Sequence, residues 1–167
     1  QNISNINIYS DVVDHNFLTT DPVILKNKVI DERISFLIKD TLEGFLKNGV
    51  AGRKSAFLER DDIGGKTGTT NDSVSTWFSG FHQDLVTTVW VGTDDFTSLG
   101  QSEYGSTIAL PIWLYYMDKV MDTLEVSNKN IPEDISFVKV NKLTGKVDAD
   151  AEDDDGYFEL FLKENIN

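Results

Sequence analysis

The sequence predicts an α+β fold in which helices pack on an antiparallel sheet. Hydrophobic residues recur at helical spacing through residues 31–48 and again through 107–124, which predicts two amphipathic helices. Between them, residues 77–81 and 85–91 are rich in aromatic and β-branched side chains, which is typical of strands. Only residues 82–84 separate these two strands, so a short turn joins them as antiparallel neighbours.

Composition and charge limit what the chain can do. Its 167 residues are 40% hydrophobic and 26% charged, and 10 Phe, 5 Tyr and 3 Trp supply bulk for one core. A net charge of -13 argues against binding nucleic acid, which needs clustered Lys and Arg, and against adsorption to an anionic membrane surface. The absence of cysteine excludes disulfides and thiol nucleophiles, and no apolar run is long enough to span a bilayer.

The first helix follows a region of predicted strands. Residues 1–30 contain short apolar and alternating runs, which predict strands and turns in a hairpin-like arrangement. Asp31 can cap the helix at its start, and Gly49 can end it in a left-handed conformation. Gly44 lies in mid-helix, where it indicates either close packing or a surface position. The predicted buried stripe comprises Ile34, Leu37, Ile38, Thr41, Leu42, Phe45 and Leu46.

The middle of the chain continues with a connector, the two strands and the second helix. Residues 49–62 form the connector, which carries Arg53, Lys54 and Arg60. The strand at 85–91 is almost continuously apolar or β-branched, which predicts a central strand covered on both faces. The second helix has a proline near its start, where a missing N–H costs little. Its apolar face comprises Leu110, Trp113, Leu114, Met117, Val120, Met121 and Leu124.

Residues after 126 form a smaller extension. A linker at 127–132 precedes the apolar residues Phe137, Val138 and Val140 and a turn at 142–146, which together predict a short hairpin. Six acidic residues crowd 148–155, and a solvated loop is the usual outcome of such a run. A calcium loop is the alternative, but the ligand spacing and the following glutamate of an EF-hand are missing. No cofactor is predicted.

A lysine set between glycines and threonines is the feature that points to chemistry. Residues 64–70 are GGKTGTT, so Lys66 is a cation on a backbone that a ligand can approach closely. A phosphate-binding P-loop needs a glycine five positions before its second glycine, where this chain has Arg60, and it must lead into a helix. Residues 71–73 lead into strands instead, so nucleotide binding is disfavoured.

The same stretch fits a peptide-binding strand at the edge of the sheet. An edge backbone can pair with an extended peptide, and Gly68 has no side chain to keep that peptide away. Thr67 and Thr69 offer hydroxyl donors to a carboxylate. Lys66 offers positive charge to that carboxylate and to proton movement at a nearby serine. Strict alternation places Lys66 and Thr67 on opposite faces, and a ligand that lies along the edge meets both.

Lys66-Thr67-Gly68 is also the third motif of the penicillin-recognising serine acyltransferases. The neighbouring sequence extends the match through GKTGTTND at 65–72, WFSGF at 77–81, VWVG at 89–92 followed by Asp94 and Asp95, and ALPIW at 109–113. Together these runs resemble class A penicillin-binding proteins of the 1A type, well over residues 28–125 and loosely before them. Residues 131–132 and 144–145 are similar to the C-terminal extension of that family.

The resemblance implies a bacterial cell-wall enzyme. A longer protein, here called the parent, would be anchored in the inner membrane by an N-terminal helix. Its glycosyltransferase and D,D-transpeptidase domains would lie in the periplasm. The transpeptidase serine attacks the D-Ala-D-Ala bond of a peptidoglycan stem peptide, and β-lactams acylate the same serine. The resemblance implies that Lys66 joins the active-site hydrogen-bond network, that Thr67, Gly68 and Thr69 bind the substrate, and that the Thr69 N–H forms half of the oxyanion hole.

Departures from the family pattern predict a fragment that is inactive alone. The S-x-x-K and S-x-N motifs should precede the third motif, but the chain has no S-x-N. Its one S-x-x-K string, Ser136 to Lys139, follows the third motif in a predicted strand, where the two side chains face opposite sides. We therefore expect the C-terminal portion of a transpeptidase domain at 1–125 and a C-terminal extension at 126–167.

Two further expectations follow from that reading of the chain. Apolar surface that the rest of the parent would cover favours pairing of this chain with a second copy, as a homo-oligomer. The alternative to an enzyme is a secreted, non-catalytic β-rich module that binds an anion or a peptide.

The two histidines and an acidic pair carry no predicted chemistry. We expect His15 on a surface strand and His82 in a hairpin turn, and two histidines are too few ligands for a typical metal site. Asp94 and Asp95 follow a strand, where adjacent side chains point apart, so a turn or capping role is expected.

Overall fold

Three α-helices, a three-stranded antiparallel sheet and a separate two-stranded hairpin make up the fold in the computed structural model, which describes residues 30–49 and 51–166. The elements are α1 (Glu32–Lys47), α2 (Gly52–Ser55), β1 (Gly64–Thr69), β2 (Ser75–His82), β3 (Leu85–Gly92), α3 (Ala109–Val120), β4 (Ile135–Asn141) and β5 (Gly156–Leu162). The predicted α+β class is confirmed. The strands predicted within residues 1–29 lie outside the described residues.

The sheet has the order β1-β2-β3, so β2 is the central strand of the described sheet. The predicted hairpin is confirmed, although β2 runs on through His82 and the turn is only residues 83–84. The prediction that the 85–91 strand is covered on both faces is wrong. Val86 is 77% exposed, because α3 packs on one face of β3 and the described elements leave the other face open at this position.

Helix α3 packs its apolar face on β2 and completes the core. Trp113 and Phe78 are fully buried, with ring centroids 4.9 Å apart. The predicted helix is confirmed, but its α-helical part begins at Ala109, and a 3₁₀ turn covers Met121–Thr123. The buried hydrophobic cluster comprises Leu46, Ala51, Ile63, Phe78, Ala109, Leu110, Trp113, Leu114, Met117 and Met121.

Helix α1 approaches β1 closely at Gly64. A Cβ at this glycine would lie 3.1 Å from the Glu43 backbone nitrogen and 2.5 Å from the Phe81 ring. The glycine therefore lets helix and strand meet backbone to backbone. The predicted helix at 31–48 agrees with α1 to within one residue at each end.

Two glycines of the α1 region differ in their surroundings. The prediction that Gly49 adopts a left-handed conformation is wrong, because positive φ among the described glycines occurs only at Gly100 and Gly145. Gly49 lies instead against the preceding turn, where a Cβ would be 2.5 Å from the Phe45 carbonyl oxygen. Gly44 has open space within 4 Å of a Cβ position, which supports the surface alternative over close packing.

Gly80 and Gly44 give a matched pair of glycine-to-alanine tests. A Cβ at Gly80 would lie 2.4 Å from the Trp113 ring, so Gly80→Ala should destabilise the fold by about 1–3 kcal/mol through overpacking. Gly44→Ala meets no atom and should be neutral or stabilising by up to about 1 kcal/mol. Urea unfolding of the purified variants measures both effects. Equal midpoints for the two variants would contradict the packing described for Gly80.

An ionic contact fastens the linker to α1. Lys129 donates to the Asp40 carboxylate and, at 3.2 Å, to Glu43. Burial opposes the charged form of Lys129, but these hydrogen bonds and the two negative charges outweigh it and raise the pKa of Lys129 above its ordinary value. The lysine therefore stays charged at neutral pH and holds the linker against the helix.

The C-terminal hairpin pairs β4 with β5. The predicted turn at 142–146 is present, with Gly145 at a φ of 68°, but the strand that pairs with β4 follows the acidic loop. That loop, 148–155, is largely exposed as predicted, and Asp153 bonds to Lys139 at 2.8 Å. Within residues 30–49 and 51–166, no group of acidic or histidine side chains is placed to hold a metal ion. In the same residues no helix is both long enough and apolar enough to cross a bilayer.

Candidate functional site

The glycine–lysine stretch forms β1, an outer strand of the described sheet. Gly64 and Gly65 are buried at its start, and a Cβ at Gly65 would lie 2.6 Å from the Phe78 ring. These two glycines serve packing, because aromatic rings of β2 lie directly on their backbone. Gly68 is half-buried, and the atoms nearest to a Cβ there would all belong to Trp77, the closest at 3.2 Å.

Lys66 and the two threonines lie on opposite faces of β1, as strict alternation predicts. Lys66 is exposed on the face that α1 covers, with its Nζ 5.2 Å from the centroid of the Phe45 ring. Thr67 and Thr69 lie on the other face, where Gly105 of the loop before α3 contacts them. Both faces end at the same strand edge, so a ligand lying there would meet all three side chains.

The hydrogen-bond pattern of β1 directs part of its backbone outward. Thr70 N–H donates to the Ser75 carbonyl at 3.0 Å, which marks a hydrogen-bonded pair. Such pairs alternate along an antiparallel ladder, so the next pair, Thr69 with Thr76, is non-hydrogen-bonded. The N–H and C=O groups of Thr69 therefore point away from β2, and so do those of Thr67, two residues earlier.

The Lys66 ammonium lies at this outward edge. Its Nζ donates to the Thr67 carbonyl at 3.1 Å and to Thr67 Oγ1 at 3.4 Å. The Thr67 carbonyl is one of the outward groups, so this hydrogen bond agrees independently with the pattern deduced from Thr70. In the part of the chain that the structure describes, the ammonium also contacts the Phe45 ring but forms no ion pair with a carboxylate, so the charge remains available to an anion.

An ammonium, two hydroxyls and outward backbone groups thus converge on one edge. The outward Thr69 N–H can stabilise negative charge that develops on a carbonyl oxygen. The hydroxyls of Thr67 and Thr69 can donate to a carboxylate, and the outward backbone can pair with an extended peptide. The structure brings together the four residues that the sequence singles out, Lys66, Thr67, Gly68 and Thr69, on β1.

The sequence does not predict two residues that lie beside the site, Phe45 and Gly105. Phe45 belongs to the apolar stripe of α1, which predicts only core packing and not a ring beside Lys66. Gly105 lies 36 residues beyond Thr69, in a loop with no recognisable motif. No sequence signal links either residue to β1, because both contacts depend on how separate elements pack.

His82 lies in a buried polar cluster, and the prediction that it lies in a hairpin turn is wrong. It is 2% exposed at the end of β2, with its Nε2 3.2 Å from an Asp62 carboxylate oxygen. The Asp84 N–H donates to Nδ1 at 3.2 Å. Arg60 Nη2 also lies 3.3 Å from Nε2, so the ring is held between the connector residues Arg60 and Asp62 on one side and the Asp84 backbone on the other. The imidazole therefore serves the fold. His15 lies outside the described residues.

Asp62 is the centre of that cluster. Arg60 grips its carboxylate through two hydrogen bonds of 2.8 Å, and the Ser127 N–H donates to it at 2.7 Å. Burial opposes ionisation, but the Arg60 hydrogen bonds, the Ser127 N–H and the Arg60 charge outweigh it and hold the pKa of Asp62 well below its ordinary range. Arg60 also donates to the Leu124 carbonyl at 3.1 Å, so the cluster joins the connector to the end of α3.

The remaining polar residues of interest lie away from β1. Ser136 and Lys139 lie on β4 in the separate hairpin, and Lys139 bonds to Asp153, so the S-x-x-K string forms no helical serine–lysine pair. Asp94 and Asp95 form a turn after β3, as predicted, and Asp95 accepts a hydrogen bond from the Thr97 hydroxyl at 2.9 Å.

A cleft of about 820 Å³ opens between α1, the linker and the C-terminal hairpin. Its walls include the stacked rings of Phe137 and Phe158, 5.0 Å apart, and the open flank of Gly44. Lys39, Lys47 and Lys129 line it, and each forms an ion pair with a nearby carboxylate. Its three lysines are therefore already paired with carboxylates of the protein.

Comparison with known proteins finds relatives that match most of the chain. No protein-family model matches the chain. Penicillin-binding protein 1A of Pseudomonas aeruginosa is 40% identical over 138 residues, which cover 83% of this chain and 16% of that protein. Penicillin-binding protein 1A of Neisseria gonorrhoeae is 39% identical over 108 residues, which cover 65% of this chain and 13% of that protein.

A solved structure agrees with these relatives. The crystal structure of penicillin-binding protein 1A from Haemophilus influenzae matches with a TM-score of 0.73 and 34% identity, over 80% of this chain and 21% of that one. The chain spans only about a sixth of the length of the Pseudomonas relative, which is matched over 16% of its length. Sequence and fold therefore agree that this chain is homologous to a portion of penicillin-binding protein 1A.

Proposed function

We propose that this chain supplies the substrate-binding edge of a serine D,D-transpeptidase that cross-links peptidoglycan. The observation that carries the proposal is the β1 edge, where the Lys66 ammonium, two threonine hydroxyls and the outward Thr69 N–H lie together. Acyl transfer from a peptide requires these parts: donors for a developing oxyanion and a positive charge near the nucleophile. Homology to a portion of penicillin-binding protein 1A supports the same assignment.

In this mechanism the D-Ala-D-Ala end of a stem peptide lies along β1 as an added strand. The hydroxyls of Thr67 and Thr69 and the Lys66 ammonium hold its terminal carboxylate. A serine from outside these 167 residues attacks the carbonyl of the penultimate D-alanine, and the Thr69 N–H donates to the oxyanion that forms. Terminal D-alanine leaves, and the amine of a neighbouring stem then takes the acyl group from the serine. A β-lactam acylates the serine in the same way.

The proposal extends to the whole parent. Residues 1–125 are the C-terminal portion of its transpeptidase domain, and residues 126–167 are a C-terminal extension. The parent also carries a glycosyltransferase domain and an N-terminal membrane anchor, and it works on the periplasmic side of the bacterial inner membrane. The isolated chain is inactive in this proposal, because its sequence lacks an S-x-N motif and its one S-x-x-K string lies on β4.

Labelling with a fluorescent penicillin tests this proposal. The isolated chain and the parent are incubated with the probe, denatured and separated by electrophoresis, with excess unlabelled penicillin as the competition control. We expect a covalent band for the parent that competitor removes, and no band for the isolated chain.

Each failure has a separate meaning. Labelling of the isolated chain would contradict the claim that the nucleophile lies outside it. An unlabelled parent would contradict the transpeptidase assignment and favour the alternative, a non-catalytic β-rich module that binds an anion or a peptide.

A further inference from the structure

The loop that leads into α3 lies flat against the candidate site. Gly105 N–H donates to Thr69 Oγ1 at 3.0 Å. A Cβ at Gly105 would lie 2.5 Å from the Trp77 carbonyl oxygen and 2.7 Å from that of Gly68. Gly68 and Trp77 face each other across β1 and β2, so the loop rests on the junction of the two strands. Only a residue without a side chain fits there.

Other contacts fix the position of this loop from behind. Lys54 of α2 donates to the Ser106 carbonyl at 2.5 Å. The Leu110 N–H in the first turn of α3 donates to the Gly105 carbonyl at 2.8 Å. The Thr107 hydroxyl accepts a hydrogen bond from the Tyr104 N–H at 2.7 Å. The two helices therefore hold the Gly105 N–H in place over the sheet.

The contact with Gly105 restricts how the Thr69 hydroxyl can donate. A threonine hydroxyl has one proton to give and two lone pairs to receive hydrogen bonds. Because the Gly105 N–H occupies a lone pair, the Thr69 side chain is held in one orientation and its proton is directed away from the loop. Thr69 is exposed, so that proton is available to an anion on the outer side of β1.

We propose that Gly105 is a positioning residue for the acyl-transfer site. Its N–H holds the Thr69 side chain so that the hydroxyl donates to the carboxylate of a stem peptide or a β-lactam. Gly105 touches no reacting atom and acts through Thr69. This inference rests on the proposed function and adds to it a residue 36 positions beyond Thr69 in the chain.

A double-mutant cycle in the parent tests the coupling of Gly105 to Thr69. Gly105→Ala pushes the loop off the strands, and Thr69→Val keeps the side-chain shape but removes the hydroxyl. Each variant should lower the second-order rate of acylation by a fluorescent penicillin about five- to tenfold, the worth of one hydrogen bond. The lower second-order rate should come from a higher concentration of penicillin at half-maximal rate, with the maximal rate unchanged. The double variant should be no slower than the slower single variant, because both changes remove the same interaction.

Two further variants complete the experiment. Lys54→Met loosens the loop without adding an atom against the sheet. It should lower the second-order rate of acylation two- to threefold, about the worth of a weak hydrogen bond. This loss should disappear when Thr69 is valine. If melting curves show that Gly105→Ala does not fold, Lys54→Met replaces it in the cycle. Gly44→Ala is the matched glycine control and should acylate at the wild-type rate.

The outcomes separate this inference from the proposed function. Additive losses in the cycle, or wild-type rates for both Gly105→Ala and Lys54→Met, would overturn the positioning role. A wild-type parent that takes no label would instead overturn the transpeptidase assignment, and that result is seen before any variant is compared.

Discussion

Replacement of Lys66 by alanine in the parent should slow acylation by penicillin about 10²–10³-fold, the usual loss when one electrostatic contributor to a transition state is removed. The ammonium is exposed and contacts only the Thr67 carbonyl and hydroxyl and the Phe45 ring among the described residues. Its removal should therefore cost little stability, so the melting temperature should stay near that of the wild type while the rate falls.

Stopped-flow or quenched labelling with a fluorescent penicillin measures this rate, and a melting curve checks the fold. Lys146 is an exposed lysine in the 142–146 turn, so Lys146→Ala removes the same net charge away from β1 and is the matched control. A Lys66→Ala variant that acylates as fast as Lys146→Ala would refute the role of Lys66.

Replacement of Arg60 by methionine should produce the largest loss of stability, about 3–5 kcal/mol. In the wild type the Asp62 side chain is only 6% exposed, and the variant removes the arginine that holds its carboxylate. It also leaves the Leu124 carbonyl without the Arg60 donor. Urea unfolding at pH 7 measures the loss, and unfolding at the wild-type midpoint would show that the ion pair contributes nothing.

The stability lost in Arg60→Met should depend on pH. The folded-state pKa of Asp62 lies below its ordinary value of about 3.9, so its contribution to stability is complete above that pH and declines as the pH falls toward the folded-state pKa. Without Arg60, burial raises the pKa of Asp62, and protonation then relieves the unpaired charge. The difference between wild type and Arg60→Met should therefore shrink as the pH is lowered from 7 to 4.

A double variant separates the lost ion pair from lost packing. Arg60→Met combined with Asp62→Leu removes both charges and should recover part of the stability, because a buried pair replaced by apolar side chains is often neutral. Recovery should be incomplete, since His82 loses its carboxylate partner and the Ser127 N–H loses its acceptor. If the double variant is less stable than Arg60→Met, the unpaired carboxylate is not the cause of the loss.

Local patterns in the sequence suffice to predict α1, α3 and the β2–β3 hairpin. The apolar stripe of α1 and the three-residue gap before Leu85 are short-range signals, and the structure confirms the elements they predict. The coverage of β3 could not be predicted in this way. An apolar run states what a strand can bury, but which faces are buried depends on elements distant in the chain, and Val86 and Trp90 remain exposed.

In the candidate site, too, the residues close in sequence are predicted and those brought in from distant elements are not. Lys66, Thr67, Gly68 and Thr69 are consecutive, so one motif predicts that they lie together. Gly105 reaches Thr69 only because α3 packs across the sheet, and no periodicity in the sequence records that approach. The prediction for His82 is wrong for a similar reason. Its partner Asp62 lies 20 residues earlier and meets it only after β1 and β2 have paired.

The outward direction of the Thr69 N–H depends on the register between β1 and β2, because N–H groups of odd-numbered and even-numbered residues of β1 point to opposite edges. Residues 65, 67 and 69 turn their N–H groups to the edge, while 64, 66 and 68 bond to β2, as the 64–81 register dictates. A slip of one residue in this register would exchange the two sets and also swap the faces of every side chain. The threonine hydroxyls would then point toward α1, and the Lys66 side chain would point toward α3. The length of the turn at 70–74 thus sets the register of the candidate site, and an insertion there should disrupt the site as much as a substitution in residues 66–69.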